Sequence, residues 1–223
     1  MANYQLDVAF TNEQLETLFA TGSNVIIGKK SVAGLPNVAW QVFRPFQNNV
    51  ISWEDEYGIY VSPVEIKNGE KLFQASTVNI GAVTGQLYTL EPSAVISGPI
   101  SSGQQGAYAL LNKYSYKSYM TVGLFQNAVV NFTDGGKNCI SANSVLLNST
   151  AIMEPFTTVY IWIQANLVSN SIVTTITSVV TELKFDNSVT TLSVKYESST
   201  GKFINASSNA LDDDRISYIA PSL

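Results

Sequence analysis

Short alternating segments, divided by Gly, Pro, Asn and Asp, run through almost all of this 223-residue chain. That punctuation limits the fold more than any other feature. A strand sends successive side chains to opposite faces, so apolar–polar alternation over a handful of residues marks a strand with one buried side. SNVIIGKK and NVAWQVFR are parted by the turn Gly34-Leu35-Pro36-Asn37, and VISWEDEY follows a break at Asn48-Asn49. KLFQASTVNI, GQLYTLEP, GAYALLNKY, YMTVGLFQNAVVNF, NSVLLNST and TTVYIWIQANLV continue the series. Turn formers at this spacing predict an all-β fold, a mainly antiparallel β-sandwich.

One short N-terminal helix interrupts the pattern. In TNEQLETLFATG, Thr11 is the N-cap and Gln14 stands at capping-box spacing. Glu13 and Glu16 suit the positive end of the dipole, Leu15, Leu18 and Phe19 form one stripe, and Gly22 ends the element. Just before it, Tyr4, Leu6, Val8 and Phe10 share one strand face. Residues 96–106, ISGPISSGQQG, read as the longest loop and the only place where a single domain over 1–223 would subdivide.

ITSVVTELKF-DN-SVTTLSVKYE is the strongest hairpin signal, with Asp186-Asn187 as a two-residue turn. Pairing outward sets Phe185, Leu183 and Val179 beside Leu192, Val194 and Tyr196. Lys184, Glu182 and Ser178 then face Thr191, Ser193 and Lys195. A ribbon of this kind, within residues 172–197, either lies across a sandwich core or inserts in a membrane as the hairpin of a pore-former. Both burials demand the same alternation.

Composition closes most catalytic chemistry. With no histidine, Ser-His-Asp and Cys-His catalysis and His-ligated metals are excluded. Cys139 is the only cysteine, so no internal disulfide or thiolate metal site forms. Neither GxxxxGK[ST] nor GxGxxG is present, and no cofactor is expected. DGGKN at Asp134 reads as a tight turn. DDDR, from Asp212 to Arg215, reads as a solvated loop with internal pairing, a calcium site being the alternative.

Carboxylates are the remaining catalytic option, and they crowd into WEDEYG. On a strand, Glu54 and Glu56 face one side while Trp53, Asp55 and Tyr57 face the other. Same-face acids two residues apart sit ~6.5–7 Å apart at Cα, whereas glycosidase carboxyls usually face each other across a cleft. The reading preferred here is a solvated strand edge, with Trp53 and Tyr57 turned inward and Asp55 a misfit at a strand end or bulge.

Charge and aromatics bear on partners. Charged residues are 13% of the chain, against ~25% in typical domains, and the net charge is −5. A phosphate backbone is repelled by such a surface, so no nucleic-acid partner is expected, while weak repulsion between copies favours a homo-oligomer. In KYSYKSYMTV, a strand would put Tyr114 and Tyr116 on one face and Lys113 and Lys117 on the other, with Tyr119 following. In TTVYIWIQANL, Val159, Ile161 and Ile163 make a core face and Tyr160, Trp162, Gln164 and Asn166 the opposite one. Flat aromatics beside amides suit a sugar ring, a lipid headgroup layer or a subunit interface. Burial on both faces of the strand is the alternative.

These residues lead to one expectation: a non-catalytic recognition protein, lectin-like or a cytolytic, pore-forming toxin, acting on glycans or a lipid membrane. Tyr160, Trp162, Gln164, Tyr114, Tyr116 and Tyr119 are its candidate binding residues. A self-assembling structural or inclusion protein is the first alternative and a carboxylate-dependent glycoside hydrolase the second. The N-terminus MANYQLDVAF has neither a basic nor an apolar leader region, so cytoplasmic synthesis without a signal peptide is expected, with action outside the cell requiring release.

Overall fold

A computed structural model of the chain describes residues 2–32, 34–206 and 214–221. β1 (Asn3–Ala9) alternates as its sequence demands, with Tyr4, Leu6 and Val8 buried. α1 (Asn12–Ala20) opens on a complete capping box. The Gln14 N–H donates to Thr11 Oγ1 at 3.3 Å, and the Thr11 N–H donates to Gln14 Oε1 at 2.9 Å. Leu15 and Leu18 are its buried stripe, whereas Phe19 stays partly exposed under the Arg44 guanidinium. Gly22 leaves the helix in the left-handed region, at φ 65°.

The rest is strand. β2 (Ser23–Lys29), β3 (Gln41–Phe43), β4 (Asn48–Glu54), β5 (Gly58–Ser62) and β6 (Ser76–Val78) come first. β7 (Leu87–Leu90), β8 (Ile96–Ile100), β9 (Tyr108–Asn112), β10 (Tyr119–Val130), β11 (Thr133–Cys139) and β12 (Asn143–Leu146) follow. β13 (Thr150–Met153), β14 (Val159–Ala165), β15 (Val180–Leu183), β16 (Thr191–Glu197), β17 (Lys202–Asn205) and β18 (Ile216–Ile219) complete the order.

Three sheets result. Nine strands form the largest, in the order β17-β16-β1-β4-β10-β5-β6, with β11 and β12 also paired to β10. β10 is long enough to take two partners along each edge. A five-stranded sheet runs β18-β15-β14-β2-β3, and a four-stranded one runs β13-β9-β7-β8. The largest apolar cluster draws on all three. Leu6, Ile51 and Val122 come from the large sheet, Ile27, Ile161 and Leu183 from the five-stranded one, and Leu90, Leu110 and Met153 from the four-stranded one. The expected sandwich is therefore built, with two smaller sheets packed on one broad one.

Several expectations change. The hairpin over 172–197 does not form. β15 pairs with β14 and β18, while β16 pairs parallel with β1 and antiparallel with β17. Asp186 turns the chain between layers, its Oδ1 accepting from the Ser188 and Val189 N–H groups. The inward face itself is as expected, since Leu183, Phe185, Leu192 and Val194 all enter the main core. They reach that core from strands of different sheets instead of side by side in one, and alternation is blind to the difference.

The stretch 96–106 is half strand, because β8 pairs with β7, and β9 beyond it pairs parallel with β7 in the same sheet. KYSYKSYMTV is not one strand. Residues 113–118 form the turn between β9 and β10. Nor is the outer face of β14 a surface. Tyr160 and Trp162 are 3% and 0% exposed, covered by Leu167, Val173 and Ile176 from the connection that follows, so burial on both faces is what the structure adopts.

Candidate functional site

The acidic stretch after β4 is positioned by its pairing with β1. Register sets Tyr4 opposite Trp53, both directed into the core, and Asn3 opposite Glu54. Glu54 ends the strand exposed, Asp55 occupies a bend, and Tyr57 turns back inside. The Tyr57 hydroxyl donates to Asp55 Oδ1 at 2.7 Å. Trp53 and Tyr57 thus lie inward and Asp55 is the residue that breaks the alternation, as the sequence implies.

Above this corner lies a cleft of about 490 Å³. Asn3, Ser52, Glu54, Glu56 and Asn127 supply its polar lining, and Tyr4, Trp53, Ile80 and Val129 its apolar one. No lysine or arginine lines it. Neither Glu54 nor Glu56 forms a salt bridge with any described residue.

Behind Trp53 the core holds a lysine. Val25, Ile27 and Lys29 share the inward face of β2, so the strand's own period carries the lysine inside. Lys29 is 1% exposed, and its Nζ has no hydrogen-bond partner among the described residues. It lies 4.4 Å from the Trp53 ring centroid and 4.7 Å from that of Trp40. The two indoles meet edge to face at 5.6 Å, and Phe185 and Tyr4 pack on Trp53 at 5.1 and 5.7 Å. Gln126 ties this box to the acidic bend. Its carbonyl accepts from Trp40 Nε1 at 3.1 Å, and its Nε2 donates to the Glu54 carbonyl at 2.6 Å.

Electrostatics follow from burial. Desolvation pulls the Lys29 ammonium down to about 7, against the opposing pull of the Asp55 carboxylate. The same burial pushes the Tyr57 hydroxyl far up, reinforced by its hydrogen bond to Asp55 and by that charge. Tyr108 rises to about 12, chiefly by desolvation and then through Asp55. Tyr4 also rises, by burial and then by the Asp55 and Asp186 charges.

The residues expected to bind are dispersed. Trp162 spends its indole N–H internally, on Gln164 Oε1 at 2.9 Å. Tyr114 and Tyr116 do come together, with ring centroids 5.6 Å apart, Tyr116 being 81% exposed and Tyr114 half-buried. Tyr119 makes no ring contact with them and instead interacts with Glu65. Arg215 pairs with Asp186, and Asp212 and Asp213, the other members of its acidic run with Asp214, lie outside the described residues. Lys29 was missed by sequence reasoning although its signal is present. Continuing the alternation of Val25 and Ile27 by one step lands on it, but a Lys-Lys doublet resembles a strand's solvated end.

No known protein family, curated protein or solved structure matches the chain.

Proposed function

We propose that the chain is a non-catalytic, lectin-like glycan-recognition protein whose ligand lies in the cleft above Trp53. One observation carries this reading: the cleft sets two amides, a hydroxyl and two unpaired carboxylates beside an aromatic and aliphatic wall. A sugar offers an apolar C–H face ringed by hydroxyls, and such side chains donate to and accept from neighbouring hydroxyls. The volume falls in the ~300–1,000 Å³ range of small-molecule sites. Recognition is thereby assigned to the acidic corner instead of to Tyr160 and Trp162. The membrane-active reading loses the inserting hairpin, whose two halves the fold divides between two sheets. Homo-oligomerisation accompanies the proposal on the strength of low charge, and it would multiply a weak single-site affinity.

A glycan array followed by titration calorimetry tests this. Asn127→Ala and Glu54→Gln should each weaken binding tenfold or more, while Tyr116→Ala leaves it unchanged. No bound glycan, or binding indifferent to both cleft substitutions, would remove the proposal. A second reading, glycoside hydrolysis, is favoured by one specific fact, that Glu54 and Glu56 line the same cleft. Release of reducing ends from a polysaccharide panel, abolished by Glu56→Gln, would select it.

A further inference from the structure

The box around Lys29 and the cleft share a residue, Trp53. We propose that Lys29 is a pH sensor inside the core and that its protonation rearranges the Trp53 wall of the cleft. The device operates whatever the cleft holds.

An ammonium carries three N–H donors, and in this box none of them has an acceptor among the described residues. Two indole faces stabilise the charge without satisfying those donors. Neutral, the amine suits its surroundings; charged, it does not. The carboxylate facing it is Asp55, whose Oδ1 takes the Tyr57 hydroxyl and whose Oδ2 has no partner among the described residues. The other titratable groups around the box are Tyr4 on β1, Tyr57 beyond the bend, and Asp186 past Phe185. Asp186 is already engaged by Arg215, and both tyrosine hydroxyls are displaced upward and stay neutral at physiological pH. Asp55 is therefore the one charged acceptor left for Lys29, beside two neutral acceptors that lack partners among the described residues, Gln126 Oε1 and the Tyr4 hydroxyl.

Trp53 borders any movement toward Asp55, because its ring centroid lies 4.4 Å from Nζ. Gln126 makes the response collective, since it holds Trp40 through its carbonyl and the Glu54 backbone through its amide. A shift of the amine toward the bend displaces the two indoles and the cleft wall together. The composition isolates the event. There is no histidine, and burial pushes the Cys139 thiol up to about 12, so neither an imidazole nor the thiol titrates beside Lys29 near neutrality.

The test uses the intact chain without ligand. In protein labelled at lysine ¹³Cε, NMR from pH 5.5 to 11 should show one lysine with a midpoint near 7. Lys29→Met should remove that early transition. If the variant fails to fold, the wild-type titration decides by itself: every lysine titrating above pH 9 overturns the sensor. The rearrangement is read separately by acrylamide quenching of Trp162→Phe, which leaves Trp40 and Trp53 as the fluorophores. Quenching should rise twofold or more across the acid side of the same midpoint. An early lysine transition with unchanged quenching overturns the coupling to Trp53.

Discussion

Lys29 shows how one side chain can set a protein's pH dependence. Its folded value, about 7, lies below the ordinary 10.5, so between those limits the unfolded chain binds more protons than the folded one. Stability therefore rises with pH across that window, and the penalty is fully present below pH 7. Over the whole window it is of order 5 kcal/mol, at 1.36 kcal/mol per pH unit. Wild-type protein should gain roughly 2–3 kcal/mol in urea denaturation between pH 6 and 9. Lys29→Met should be flat over that range and more stable at pH 6. Asp186 behaves oppositely. Hydrogen bonds from Ser188, Arg215 and the Val189 N–H hold its carboxyl well below the usual range, so its contribution is present above the ordinary 3.8 and is lost as acid titrates it. Asp186→Asn should lower the urea midpoint at pH 7, with the difference narrowing below pH 4. Both effects were invisible in the sequence, because each depends on residues far along the chain, Trp53 for one and Arg215 for the other.

Elements differ in how locally they are determined. α1 was legible in its cap, its stop and the Leu15 and Leu18 part of its stripe, since all lie within a dozen positions, while Phe19 stays partly exposed. Thr11→Ala should cost the chain about 1 kcal/mol, measured by thermal or urea unfolding. Strand faces were legible too, because Tyr4, Leu6 and Val8 need only period two. Strand β14 was not. Its outer aromatics are polar-tipped, and whether they meet water depends on whether the connection carrying Leu167, Val173 and Ile176 closes over them. Trp162→Ala should cost about 3–5 kcal/mol and leave glycan affinity intact, the reverse of what a binding residue would do. Gly123 in β10 is set by its neighbour: a Cβ there would come within 1.9 Å of the Ser141 carbonyl oxygen. Gly123→Ala should therefore fail to give soluble folded protein, a requirement the sequence did not advertise.

At the scale of the molecule, β1 is the strand that joins distant parts, lying between β16 and β4. A chain truncated before Thr191 would bare the whole of that edge. It should lose its cooperative unfolding transition, although a terminal hairpin, had residues 172–197 formed one, could be shed more cheaply. By itself the sequence determined the all-β class, helix α1, the inward faces of most strands and the lack of any histidine or second cysteine. Each of these is written in a short window or in composition. Tertiary structure alone decided that Leu183 and Leu192 enter one core from different sheets, that Trp162 is enclosed, and that Lys29 meets Trp40 and Trp53. Alternation records that one face of a strand is buried, but backbone hydrogen bonds are common to every residue, so they carry no mark of which strand will be the partner.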